Sequence, residues 1–331
     1  MKVIVAENCG FCPGVRNAIS IAEKILAPAR RSGQINRRER GERRNEKINN
    51  QSCSADSANS AVKRTTGHVV YSLGPIIHNS DVVQRLAKAG LKTVASVKQI
   101  PSGTVIVRSH GAAPKQIAQL KKKGVNIVDA TCVLVKRVQR IAKELGRGGY
   151  KVVVIGDENH PEVQAVVGSA RDVVVIADEL DLHKLSKNGK LGIVCQTTQS
   201  QECFSSMLGA IGRHGFSELK VINTLCKEAI KRQESAVKLC KQVDIMFVLG
   251  GLESANTRRL AELCKKYNSQ TFHLQNWSEF DRSILFGLRR GASPRRVGKK
   301  RALPQVAGVT AGASTPEWII AEFVENLAKI E

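Results

Sequence analysis

The sequence predicts an α/β protein assembled from parallel strand–helix units. Short Val/Ile-rich runs alternate with amphipathic stretches along most of the 331 residues. The residue types able to do chemistry fall at the carboxyl ends of those runs, where ligands bind in open α/β sheets. With 42% hydrophobic residues, the chain can bury one large core or two to three small ones.

The strand candidates, in order, are KVIVAE, TVIVRS, NIVDA, KVVVIG, KLGIVCQ, LKVIN, DIMFVLG and QVAGVT. Each is short, rich in β-branched residues and closed by a polar or glycine-bearing turn, so all are expected to be buried strands. After Cys12-Pro13-Gly14, the residues Val15, Ala18, Ile19, Ala22 and Ile25 share one helical face. Residues 133–145, 227–241 and 316–330 show similar periodicity. No exact repeat is visible, but the recurring cadence of strand, polar turn and helix permits a pseudo-repeated architecture.

The formal charge of +23 would suggest a nucleic-acid partner if it were spread over a folded surface. It is concentrated instead in residues 28–67 and 289–301, where apolar periodicity vanishes, and these tracts are expected to be insertions outside the core. With 4% aromatic residues, stacking platforms are few, so nucleic acid is an unlikely partner. No apolar run approaches the roughly 18 to 20 residues that span a bilayer, which argues against a membrane partner. Met1-Lys2-Val3-Ile4-Val5 passes straight into a strand without a signal-peptide layout, so a cytoplasmic location is expected. In that compartment thiols stay reduced, and nine cysteines point to metal or redox chemistry rather than to disulfides.

Cys12, Cys132 and Cys226 each sit between a strand and a helix start, where the helix dipole favours the thiolate that ligates metal. A single free cysteine is often only a small buried hydrophobe; three equivalent placements favour ligation. Cys9 completes a Cys-x-x-Cys pair with Cys12, a weak zinc or thioredoxin-like signal because no second pair exists. Cys195, Cys203, Cys240 and Cys264 suit core or surface packing, and Cys53 lies in the basic tract. His78, His110 and His160 follow apolar runs at loop positions. Such histidines usually cap or face solvent, but three of them near hydroxyl and amide groups suit diphosphate oxygens. His68, His183 and His214 lack that setting. Glu162, beside His160, could serve the helix dipole alone.

Taken together, GFCPGV, IIHNSDVV, SHGA, DATC, NHPEV, QTT, NTLCKEAIKRQES, GGLESANTRRLAEL and GVTAGASTP resemble, in order, the motif series of the 4-hydroxy-3-methylbut-2-enyl diphosphate reductase (LytB/IspH) family. The resemblance covers nearly the whole chain outside the basic tracts. It implies three pseudo-repeated α/β domains in a trefoil around a central iron–sulfur cluster: residues 14–131, with a basic insertion at about 28–67; residues 132–225; and residues 226–331 with 1–13, carrying a second insertion at about 286–303.

The same resemblance implies one [4Fe–4S] cluster per chain on Cys12, Cys132 and Cys226. Glu162 matches the proton donor and Thr197 the substrate-side hydroxyl. His78, His110, His160, Ser254, Asn256 and Ser314 match diphosphate-holding positions. The implied reaction is a two-electron reductive dehydroxylation of the allylic substrate to isopentenyl and dimethylallyl diphosphate. Because no GxGxxG fingerprint is present, electrons are expected from an external donor such as ferredoxin or flavodoxin. Ala255 stands where some relatives have serine, which leaves that anchor to the backbone N–H. A zinc hydrolase built from the Cys and His residues is the remaining rival from another chemistry.

Overall fold

The computed structural model describes residues 1–27, 69–286 and 303–330. Both basic tracts of the sequence analysis, and Cys53 and His68, lie outside these described residues, apart from the edges of the second tract.

The chain begins with β1 (Lys2–Val5) and α1 (Pro13–Leu26). A first full unit follows: β2 (Val70–Leu73), α2 (Ser80–Lys88), β3 (Leu91–Val94), β4 (Thr104–Val107), α3 (Pro114–Lys122), β5 (Asn126–Asp129) and α4 (Val133–Arg147). The second unit repeats the order with β6 (Lys151–Ile155), α5 (Pro161–Val167), β7 (Val173–Ile176), β8 (Lys190–Cys195), α6 (Gln201–His214), β9 (Glu218–Val221) and α7 (Lys227–Cys240). The third runs through β10 (Ile245–Leu249), α8 (Ala255–Tyr267), β11 (Thr271–Leu274), β12 (Val306–Ala311) and α9 (Glu317–Ala328).

Three four-stranded sheets result, ordered β3-β2-β4-β5, β7-β6-β8-β9 and β11-β10-β12-β1. All their pairings are parallel. The third sheet thus takes its last strand from the chain's start: Val3 lies beside Ala307 and Val5 beside Val309. The helix after each fourth strand crosses to the next sheet. Val15, Ala18, Ile19 and Ala22 of α1 pack on the first sheet with Val70 and Ile106. Val138, Ile141, Ala142 and Leu145 of α4 pack on the second, and Ala236, Leu239 and Cys240 of α7 on the third. Each buried Val, Ile or Leu contributes about 1.5–3 kcal/mol of transfer free energy, so these crossovers bind the three layers into one body.

Two sequence expectations need correction. KVIVAE, NIVDA and LKVIN are not fully buried; they form the edge strands β1, β5 and β9, whose burial is broken by exposed positions, because an edge strand has a neighbour on one side only. β2 and the opposite edges β3, β7 and β11 escaped the strand candidates. Polar residues interrupt VYSL, LKTV and TFHL, whereas VVVI of β7 carried the same Val/Ile signal as the strands found.

Candidate active site

The functional positions follow from the repeat. Five residues beyond the ends of β2, β6 and β10 stand His78, His160 and Ser254, at the starts of α2, α5 and α8. Beyond β4, β8 and β12, the loops carry Ser109-His110, Thr197-Thr198 and Ala313-Ser314. Beyond β5, β9 and β1, at the N-caps of α4, α7 and α1, come Cys132, Cys226 and Cys12. The same backbone bond fixes each cysteine: Cys132 N–H donates to Ser109 O at 2.9 Å, Cys226 N–H to Thr197 O at 2.9 Å, and Cys12 N–H to Ala313 O at 3.2 Å. Three sheets therefore deliver three sets of equivalent loops to one centre.

All the residues expected from sequence to ligate metal, bind substrate or donate a proton line a single cavity. The three thiols are part of its lining. Cys12 Sγ accepts from Val15 N–H at 3.4 Å. Burial pushes the Cys132 and Cys226 thiols up, while the amides of Leu134 and Val135, and of Ala229 and Glu228, pull them down. Gly14 sits against them: a Cβ there would come within 2.9 Å of Cys132 Sγ and 3.9 Å of Cys12 Sγ. Three thiols at three helix N-termini, with space kept beside them by a glycine, form a donor set that fits an iron–sulfur cluster.

Glu162 is 1% exposed and held at both oxygens by one residue. Thr197 N–H donates to Oε1 at 2.7 Å and Thr197 Oγ1 to Oε2 at 2.9 Å. Burial raises its pKa; the Thr197 bonds and the Arg259 charge oppose that shift. Desolvation thus favours a carboxyl group that can carry a proton.

The histidines form one corner, with ring centroids 4.9, 5.3 and 6.3 Å apart. His160 Nδ1 accepts from Glu162 N–H at 3.2 Å, capping α5. His78 Nε2 and His110 Nδ1 are buried without a hydrogen-bond partner. Burial lowers all three pKa values, that of His160 to about 4, and the neighbouring histidine and arginine charges reinforce the effect. Ser254 Oγ accepts from Thr257 N–H at 3.3 Å, so it too is an N-cap. Ala255, Asn256 and Ser314 complete that wall.

Other residues fall outside the cavity or were missed in sequence. Cys9 packs against the third core, and Cys195, Cys240 and Cys264 are buried in hydrophobic clusters, with Cys203 at the edge of one. His183 and His214 meet backbone carbonyls away from the site. Arg232 and Glu228 line the cavity unforeseen. For Arg232 a signal existed: with Ala229, Ala236 and Leu239 it occupies the buried stripe of α7, where an arginine is out of place.

The chain matches the family model described as LytB protein over residues 53–328. It is 37% identical to the 4-hydroxy-3-methylbut-2-enyl diphosphate reductases of Pelobacter propionicus and Geotalea daltonii, over 100% of this chain and 99% and 98% of theirs. A solved structure of (E)-4-hydroxy-3-methyl-but-2-enyl diphosphate reductase, the terminal enzyme of the non-mevalonate pathway, is 34% identical with a TM-score of 0.62, each chain covered in full. The E-1-hydroxy-2-methyl-but-2-enyl-4-diphosphate reductase from Plasmodium falciparum shares the fold, with a TM-score of 0.78 at 23% identity over 99% of this chain and 88% of that one. With its three parallel sheets, its converging cysteines and a match over most of its length, this chain belongs to the LytB family.

Proposed function

We propose that this protein reduces (E)-4-hydroxy-3-methylbut-2-enyl diphosphate to isopentenyl and dimethylallyl diphosphate. The observation that carries the reading is the convergence of Cys12, Cys132 and Cys226 in one cavity with the buried Glu162–Thr197 pair and the three-histidine corner. The packing of α1, α4 and α7 supports domains at 14–131, 132–225, and 226–331 with 1–13.

Cys12, Cys132 and Cys226 would hold one [4Fe–4S] cluster. When bound, the cluster supplies electrons one at a time and, having only three protein ligands, an iron site open to the substrate oxygen. The neutral imidazoles of His78, His110 and His160 offer N–H donors to the diphosphate, joined by Ser254, Asn256, Ser314 and the first amides of α8. That grip leaves the allylic hydroxyl toward the thiol end. There Glu162, with Thr197 as its partner, gives a proton to the departing oxygen, so that water leaves instead of hydroxide. Two electrons and a second proton, delivered to carbon, complete the balance. An external one-electron carrier such as ferredoxin or flavodoxin supplies the electrons.

Anaerobic purification tests the reading. Brown protein with about four irons per chain that consumes the diphosphate substrate when reduced is the expected result. A colourless zinc protein without this turnover would refute it.

A further inference from the structure

Among the described residues, Arg232 is the one buried cationic side chain that lines the cavity. It is 5% exposed. Its Nη1 donates to Ala311 O at 2.9 Å and to Asn8 O at 3.2 Å, and its Nε is buried without a partner. Both acceptors are neutral carbonyls. None of the ion pairs among the described residues includes Arg232, and the nearby Glu228 is committed to Lys231 at 3.7 Å. Taking a guanidinium out of water without a counter-anion is costly, and among the described residues no carboxylate forms an ion pair with it. The groups around it whose ionised forms would oppose the effect of burial on its pKa are Cys12, Cys9, Glu228 and Cys226.

A cluster fits this charge. An iron–sulfur core with two positive charges on three thiolates is an anion overall, and each electron added increases its negative charge. Arg232 sits on α7, six positions after Cys226, and its Nη1 reaches the last residue of β12, Ala311, two positions before the Ala313 whose carbonyl holds Cys12. It therefore touches the supports of two of the three thiols from a position where low dielectric strengthens its field.

We infer that Arg232 is the internal counter-cation of the iron–sulfur site: a positioning residue that retains the cluster and raises its reduction potential by stabilising the more negative, reduced form. The inference rests on the cluster assignment above. A fixed positive charge favours electron entry at the cluster and needs no contact with substrate. Net charge and hydrogen bonding around the sulfurs are the levers by which a protein sets such potentials.

The test compares Arg232→Lys, which keeps the charge, with Arg232→Gln, which keeps donors for the Asn8 and Ala311 carbonyls but is neutral. Wild-type holoenzyme is measured first, and absence of a cluster there refutes the functional reading itself. With the wild-type cluster established, anaerobic redox titration followed by visible absorbance and electron paramagnetic resonance gives the midpoint potential, and iron analysis gives retention. The expected result is a potential close to wild type in Arg232→Lys. In Arg232→Gln the equilibrium constant for one-electron reduction falls at least tenfold, a shift of about 59 mV to lower potential, or the cluster is lost in this variant alone. An unchanged potential in a fully loaded Arg232→Gln would overturn the inference. So would equal loss of iron in both variants, because it would make Arg232 a mechanical brace.

Discussion

Glu162 and Thr197, 35 positions apart, hold each other through both carboxylate oxygens, one bonded to the Thr197 amide and the other to its hydroxyl. The amide bond fixes the side chain's orientation, and the hydroxyl bond holds its second oxygen at the cavity wall. Burial of the pair raises the carboxyl pKa, so the acid is available at a pH where an ordinary glutamate has lost its proton.

Glu162→Gln should therefore retain iron content and diphosphate affinity while turnover falls by about 10²- to 10⁴-fold, the usual worth of general acid catalysis. The amide can still accept from the Thr197 N–H, but it has no proton to give. Steady-state kinetics with a chemical reductant, beside equilibrium binding of inorganic diphosphate, separates the two effects. Turnover within twofold of wild type would remove Glu162 from the mechanism.

Serine in place of Cys12, Cys132 or Cys226 should abolish cluster retention, since an alkoxide is a poor substitute for a soft thiolate at iron. Cys9→Ser should keep wild-type iron. Cys9 packs against the third core, and burial raises its thiol pKa. Iron analysis after anaerobic reconstitution is the readout. Equal loss in Cys9→Ser would mean that the ligand set is wrongly chosen.

This division between Cys9 and Cys12 was legible in sequence, because Cys12 alone stands beside the Pro-Gly that starts a helix. The three thiols, three histidines and Glu162 could be read one by one for the same reason: each occupies a strand-to-helix junction. The equivalent placement of the three cysteines could be read as well, but not how the third sheet closes. That closure depends on β1 joining β12 across the whole chain, and no local pattern encodes that pairing. β2, β3 and β11 were missed because polar residues break their short apolar runs. Arg232 was passed over beside Lys227 and Lys231, although its helical spacing with Ala229, Ala236 and Leu239 put it on the apolar face of α7.

Diphosphate binding should be coupled to proton uptake. In the free protein burial holds His78, His110 and His160 below their usual pKa, His160 at about 4, so they are neutral near pH 7. A bound anion favours the imidazolium form and raises those values. Affinity then increases as pH falls from 8 toward 6, and calorimetry in buffers of different ionisation enthalpy should register protons taken up. Affinity independent of pH, with no buffer dependence, would contradict this coupling. The free protein should show the opposite stability trend. Its native histidines bind fewer protons than the unfolded chain between about pH 4 and the ordinary histidine value of 6.5, so acidification through that window destabilises it.

Gly14→Ala should weaken the metal site without unfolding the protein. Gly14 lies in the first turn of α1, directly after Pro13, and alanine is favoured over glycine in a helix by about 1 kcal/mol. Helix propensity alone therefore predicts a neutral or stabilising change. Against it stands the added Cβ, 2.9 Å from Cys132 Sγ and 3.3 Å from Cys132 Cβ, inside ordinary contact distance. Either the Cys132 side chain rotates or α1 and α4 move apart at the thiols, and both displace donors that must meet one metal group. The apo-protein should keep its thermal midpoint within a few degrees, because a change of 1 kcal/mol shifts a domain of 150–250 residues by about 2–4 °C. The reconstituted variant should lose iron several-fold faster than wild type in the presence of a chelator. Gly212→Ala, whose added Cβ meets nothing within 4 Å, serves as the control for the substitution itself. Iron loss at the wild-type rate in Gly14→Ala would mean that the glycine keeps no space for the cluster.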